Sequence, residues 1–189
     1  MKRGKIIIFS GPSGVGKETI RNKFFNIPKL NLVFSVSATT RKPRDGEENG
    51  REYYFHTKQE FKKRIANDEF LEYAIFANNY YGTLISEVDN KLNMGYNIFL
   101  EIEPQGALQV IEKRPQDVVT IFIKPPKIKD LEKRLKNRGT ETNEQIKERI
   151  SAAENEIKIG LQNYKYNIIN DNIDDCVKEV VSSIEKEIN

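Results

Sequence analysis

At 189 residues with 38% hydrophobic content, the chain has the length of one globular domain with small insertions and can bury a real core. Its 31 basic and 28 acidic residues leave a formal net charge of +3, too slight to argue for nucleic acid or a membrane surface. The single Cys176 excludes an internal disulfide and no apolar run approaches spanning length, which fits a soluble protein of the reducing cytoplasm. Lys2, Arg3 and Lys5 resemble the start of a secretory leader, but the apolar run behind them, residues 6–9, is far too short for one.

Residues 5–10 read as a first strand and residues 17–26 as a helix ended by Pro28. Between them stand Gly11, Pro12, Ser13, Gly14, Val15, Gly16 and Lys17, spaced as a phosphate cradle. The glycines let the backbone turn so that successive N–H groups face phosphate oxygens. The following helix adds unpaired donors and its positive dipole end, and Lys17 adds a mobile charge for the β/γ-phosphates. A glycine turn without a ligand would not need this spacing in a strand-to-helix context. Glu18 stands where such loops usually offer a Ser or Thr hydroxyl to Mg2+, and Thr19 follows it.

From about residue 34 to 96 the apolar runs shorten and aromatics multiply, with turns at Pro43, Gly46 and Gly50. This segment reads as a β-rich insert with one helix at 59–67. Beyond it, strands are expected at 97–102, 118–123 and 166–170, and helices at 105–113, 128–137, 143–164 and 173–188. In the last helix Ile173, Val177, Val180, Val181, Ile184 and Ile188 share a face. The alternation of strand and helix gives an α/β fold with a parallel core sheet flanked by helices. Residues 138–164 are strongly charged, which a solvated helix would explain by itself.

Residues 35–47, continued through Gly50 to Tyr53, Tyr54 and Phe55, concentrate hydroxyls and guanidiniums around tight turns. Arginine forks match phosphate bidentately, so the composition suits a nucleoside monophosphate, although an exposed basic loop would have the same composition. The order of residues distinguishes them: the string resembles the GMP-binding motif of guanylate kinases. The resemblance continues through Glu69, Phe70, Leu71, Glu72 and Tyr73, then Tyr80, Tyr81, Gly82 and Thr83. It goes on through Leu100, Glu101, Ile102 and Glu103 with Gln105 and Gly106, then Arg138, Gly139, Thr140 and Glu141, and ends at Ile169, Asn170 and Asp171. These motifs occur in family order and span nearly the full chain, and the resemblance implies one guanylate kinase-like domain over residues 4–187.

The resemblance implies a P-loop core at 1–34, 97–137 and 165–189, a GMP-binding insert at 35–96 and a helical lid at 138–164. It assigns the acceptor phosphate to Arg41, Arg44, Tyr53 and Tyr81. Guanine falls to Ser37, Glu72 and Thr83, with Gly82 in the same motif and Glu47 and Glu101 in support. It assigns ATP to the loop from Gly11 through Thr19 and to Asn170, and charge stabilisation of the transfer to Lys17, Arg41, Arg134, Arg138 and Arg149. The implied reaction moves the γ-phosphoryl group of ATP to GMP or dGMP with Mg2+. Thr19 and Glu103 are the metal candidates; the family commonly has aspartate at the position of Glu103. No nucleic acid or membrane partner is implied, and the oligomeric state is open.

The chemistry agrees with this assignment. Guanine presents two adjacent donors, N1–H and the 2-amino group, which one carboxylate accepts together, while its O6 and N7 accept from hydroxyls or guanidiniums. Two alternatives stand beside the enzyme: a non-catalytic guanylate kinase-like binding module and a kinase for another nucleoside monophosphate. The intact Gly11, Gly14, Gly16 and Lys17 speak against the first, and Glu72 with Ser37 and Thr83 against the second.

Overall fold

The computed structural model describes residues 2–138 and 142–189, the side chains of Asn137 and Arg138 excepted. The chain begins with β1 (Ile6–Ser10), α1 (Lys17–Phe24), a 3-10 turn (Pro28–Leu30), β2 (Leu32–Phe34), β3 (Ala38–Thr39) and β4 (Tyr54–Phe55). It continues through α2 (Lys58–Ala66), β5 (Phe70–Phe76), β6 (Asn79–Leu84), α3 (Ile85–Asn93), β7 (Asn97–Glu101) and α4 (Pro104–Lys113). It closes with β8 (Val118–Lys124), α5 (Ile128–Arg138), α6 (Asn143–Asn163), β9 (Tyr166–Ile169) and α7 (Ile173–Ile188).

This is a mixed α/β fold with a parallel central sheet of order β2-β7-β1-β8-β9, flanked by helices. A second sheet has the order β4-β3-β6-β5 and pairs mostly antiparallel. The described chain divides into two compact units. One comprises the N-terminal residues through Ile6 with Val33–Leu100 and Gln105–Val118; the other comprises Ile7–Leu32, Glu101–Pro104 and Val119–Asn189.

The second unit is built on strands buried on both faces. Ile7, Ile8 and Phe9 of β1 and Ile121, Phe122 and Ile123 of β8 are fully enclosed, as continuous apolar runs in a parallel sheet require. Phe9 meets Phe24 of α1 edge-on, with ring centroids 5.8 Å apart. Asn172 caps α7 by accepting from the backbone N–H groups of Asp174 and Asp175 at 2.9 and 3.1 Å. The helix then turns Cys176, Val180 and Ile184 inward, and burial pushes the Cys176 thiol up to about 11, so this cysteine is structural. Gly160 lets α6 approach β8 closely: a Cβ there would lie 2.5 Å from the Phe122 ring.

In the first unit, Phe61 of α2 stacks on Phe70 of β5 at 4.2 Å, with Ala38 and Leu84 enclosed beside them. A capping box opens α2: Thr57 accepts from the Glu60 backbone N–H and Glu60 accepts from that of Thr57. The segment expected to be β-rich with one helix holds a second one, α3. Leu84 runs from β6 into α3 with no side-chain cap, so the usual start signal is missing, yet Val88 and Leu92 bury one face. The three-residue β2 is likewise absent from the sequence reading, because so short a strand has no measurable period.

Candidate functional site

The residues expected to hold the phosphate donor lie wholly in the second unit. β1 ends at Ser10 and α1 begins at Lys17, so the glycine loop spans a strand-to-helix junction. Gly16 adopts the left-handed region at φ 100°, and a Cβ there would come within 2.9 Å of the Asn170 Nδ2. A Cβ on Gly11 would lie 2.4 Å from the Ile123 carbonyl, so both positions require glycine.

Lys17 Nζ donates to the Gly11 carbonyl at 2.6 Å and to that of Pro12 at 3.4 Å, which holds the ammonium at the loop mouth. Burial lowers the Lys17 pKa, while Glu101, Glu156 and Glu103 favour its charged form. Asn170 Nδ2 donates to the Val15 carbonyl at 2.7 Å. Arg134 clamps the same corner, reaching Val15 O at 3.3 Å and Asn170 O at 3.2 Å. Arg149 Nη2 meets Ser13 Oγ at 3.0 Å. Expected residues from α5, α6 and the end of β9 are thus brought onto one loop.

Glu18 is exposed, and its carboxylate lies 3.8 Å from Arg21 one turn on; Thr19 and Glu103 are exposed as well. Glu101 accepts from Arg21 Nη1 at 2.9 Å. Arg138 ends α5, but its side chain, together with Gly139, Thr140 and Glu141 of the lid motif, lies outside the described residues. Among the described residues no group of three or more His, Cys, Asp or Glu is arranged to hold a metal ion.

The sequence reading missed several members of this group. Arg21 sits four residues after Lys17 on α1, a spacing that could have indicated it. Half-buried Glu156 bears on Lys17, and burial raises its own pKa; nothing in its polar helix sets it apart. Tyr164 donates to Ser10 Oγ at 2.7 Å and Ser10 donates to the Ile102 carbonyl at 2.6 Å, a buried link whose partners are far apart in sequence.

The residues expected to hold the phosphate acceptor lie in the first unit, apart from Glu101. Antiparallel pairing of β5 and β6 sets Glu72 opposite Thr83 and Tyr73 opposite Gly82. Thr83 Oγ1 donates to Glu72 Oε1 at 2.6 Å, and the two residues are 1% and 7% exposed. Burial pushes the Glu72 pKa up, opposed by its hydrogen bonds to Thr83. Gly82 pairs on its other side with Ala38, next to half-buried Ser37. A Cβ on Gly82 would press to 2.8 Å from the Glu72 carbonyl oxygen, so glycine permits this close approach.

Arg41 and Glu47 form a two-pronged pair with both N–O distances at 2.9 Å. Glu47 also accepts from the Arg44 backbone N–H at 2.7 Å, and this pair and contact hold its carboxyl below the usual range. The Arg41 guanidinium lies 5.3 Å from the Tyr53 ring, and Tyr53 meets Tyr81 at 6.2 Å. The Arg44 side chain is exposed beside this cluster. The expected phosphate and base residues therefore form two groups, Arg41 with Glu47, Tyr53 and Tyr81, and Glu72 with Thr83.

A glycine cradle with a lysine at its mouth, on a parallel α/β sheet, defines a P-loop nucleotide-binding protein. The same chain holds the Arg41 guanidinium among Glu47, Tyr53 and Tyr81, and an enclosed carboxylate–hydroxyl pair at Glu72 and Thr83. The family model for guanylate kinase matches residues 3–187, and the chain belongs to that family. It is 47% identical over 186 residues to the guanylate kinase of Aster yellows witches'-broom phytoplasma, covering 98% of this chain and 88% of that protein. The guanylate kinase of Mycoplasmopsis synoviae is 46% identical over 193 residues, covering 99% and 97%. The crystal structure of guanylate kinase from Anaplasma phagocytophilum superposes with a TM-score of 0.68 at 30% identity, covering 99% of this chain and 87% of that one.

Proposed function

We infer that this chain transfers the γ-phosphoryl group of ATP to GMP, giving ADP and GDP, in the cytoplasm, and that dGMP serves as a second acceptor. The observation that carries the acceptor assignment is the enclosed Glu72–Thr83 pair. Ionised Glu72 accepts from guanine N1–H and the 2-amino group, Ser37 donates to one of the base's acceptors, and the Thr83 hydroxyl, which donates to Glu72 Oε1 before the base arrives, turns its proton to the other. Adenine would set an unprotonated N1 against the carboxylate, leaving buried polar groups unpaired at a cost of about 1–3 kcal/mol each.

Guanine binding draws on the carboxylate form. Because burial raises the Glu72 pKa, GMP affinity falls as the pH drops through that value, and base binding in turn draws the proton off. Arg41, Arg44, Tyr53 and Tyr81 hold the acceptor phosphate. Arg41 exchanges part of its pairing with Glu47 for phosphate oxygens, so Glu47 pre-aligns the guanidinium.

The loop N–H groups and Lys17 hold the donor phosphates, with Lys17 leaving the Gly11 carbonyl for a phosphate oxygen. Asn170 and Arg134 fix the loop at Val15, and Asn170 lies beside the donor nucleotide. Arg134, Arg138 and Arg149 add positive charge around the transferring group. Phosphoryl transfer asks little covalent chemistry of the protein, so alignment and charge carry the catalysis.

Thr19 and Glu103, both exposed, are the hard oxygen donors that would hold Mg2+, directly or through its retained waters. When bound, the ion neutralises charge on the β/γ-phosphates. Glu18 takes no part: it faces solvent, 3.8 Å from Arg21.

The test is a coupled ADP-release assay with GMP, AMP, CMP and UMP as acceptors. GMP turnover far above the other three is expected. Comparable turnover of AMP, or none with GMP, would contradict the assignment.

A further inference from the structure

Glu72 lies on β5, the outermost strand of its sheet, where only β6 offers a neighbouring strand. The β5–β6 register is broken between Phe70 and Glu72, so pairing with β6 is irregular beside this carboxylate. A break of this kind re-aims side chains and weakens the local ladder. The open edge of β5 would normally face water and fray.

Helix α4 closes that edge with two side chains. Gln109 Oε1 accepts from the Tyr73 backbone N–H at 3.1 Å, and its Nε2 donates to the Tyr73 carbonyl at 3.0 Å. The amide thus replaces the two hydrogen bonds that a neighbouring strand would make. One turn further, Lys113 Nζ donates to the Phe70 carbonyl at 2.8 Å and pairs with Asp68. Residues four apart share a helix face, so α4 grips β5 on both sides of Leu71 and Glu72. On the other flank a Cβ on Gly82 would lie 2.8 Å from the Glu72 carbonyl oxygen, so glycine lets β6 run close to it.

We propose that Gln109, assisted by Lys113, is a positioning residue for guanine recognition: it fixes the backbone next to Glu72 so that the carboxylate meets both guanine donors at once. Neither side chain touches the base. The inference rests on reading Glu72 as the base-reading group. Losing the clamp lets the Glu72 backbone sway, which weakens a two-donor contact more than a one-donor contact.

The test uses the full chain with Gln109→Met, which keeps length and helix propensity and removes both hydrogen bonds. GMP is compared with IMP, whose base lacks the 2-amino group. The expected result is a roughly threefold to tenfold rise in KM for GMP, in line with the net worth of a hydrogen bond or two. The preference for GMP over IMP should shrink by a similar factor, with kcat and KM for ATP within about twofold of wild type. Gln109→Glu, which still accepts from Tyr73 N–H and cannot donate to its carbonyl, should fall between. Lys113→Met provides a second, milder variant.

Unchanged KM for GMP and unchanged preference in Gln109→Met would overturn the proposal, as would equal rises in both KM values. Glu72→Gln run alongside separates the causes. If it loses the GMP preference while Gln109→Met keeps it, the clamp is wrong and the base reading stands; if Glu72→Gln keeps it, the base reading fails and takes the clamp with it.

Discussion

Glu72 joins sequence, packing and chemistry at a single side chain: an enclosed carboxylate that accepts from the Thr83 hydroxyl across the sheet. Glu72→Gln keeps the shape but offers one acceptor oxygen and an unwanted donor. Steady-state kinetics should show kcat/KM for GMP falling by about 1–3 kcal/mol, with KM for ATP unchanged. Thermal melts against pH give an independent reading. A carboxyl whose folded pKa is raised binds its proton more tightly folded than unfolded, so its contribution to stability is full below the unfolded pKa and declines as the pH rises through the folded value. Wild type should therefore lose stability relative to Glu72→Gln between acid and neutral pH. A constant difference in Tm across that range would contradict a raised pKa. Glu18 presents the opposite case, with its side chain 80% exposed and its nearest partner an arginine of its own helix. Exposed pairs of this kind contribute about 0–1 kcal/mol, and a carboxylate in the first turn of a helix is favoured by the dipole alone. Glu18→Ser should retain or improve kcat/KM for Mg·ATP. A tenfold or larger loss that excess Mg2+ rescues would make Glu18 a metal ligand.

At the scale of elements, what could be read from the sequence was what is encoded locally. The loop from Gly11 to Lys17 works through backbone conformation and spacing, so its chemistry is visible in a single short run, and the amphipathic face of α7 is equally plain in its period. Glu72, Arg41 and Tyr81 were assigned through the resemblance of their motifs, because composition alone left residues 35–47 open to a second reading. Contacts between distant segments were not readable. Gln109 meets Tyr73 across 36 residues and Tyr164 meets Ser10 across 154, and neither side chain differs in sequence from an ordinary surface glutamine or core tyrosine. Helix α3 escaped because its start has no capping side chain. Gly160 shows the same limit: mid-helix it looks like a weak point, yet it is where α6 meets the Phe122 ring. Gly160→Ala should destabilise the protein by about 1–3 kcal/mol through overpacking, despite the better helix propensity of alanine. Chemical denaturation measures this, and a gain in stability would show that Phe122 can give way.

Across the whole molecule, the candidate site residues divide between the two compact units. The second unit presents the glycine loop with Lys17, Arg134, Arg149 and Asn170, and the first presents Glu72 and Thr83 with the Arg41 cluster. No helix among the described residues is long and apolar enough to cross a membrane. Membership of the guanylate kinase family rests on a match over residues 3–187. The central claim is that this chain phosphorylates GMP and selects it by its base. The most direct measurement is the ratio of kcat/KM for GMP to that for AMP, with ATP as donor, in wild type and in Glu72→Gln. A large preference for GMP in wild type, reduced in the variant by a loss on GMP alone, is the predicted result; equal use of GMP and AMP by the wild type would contradict it.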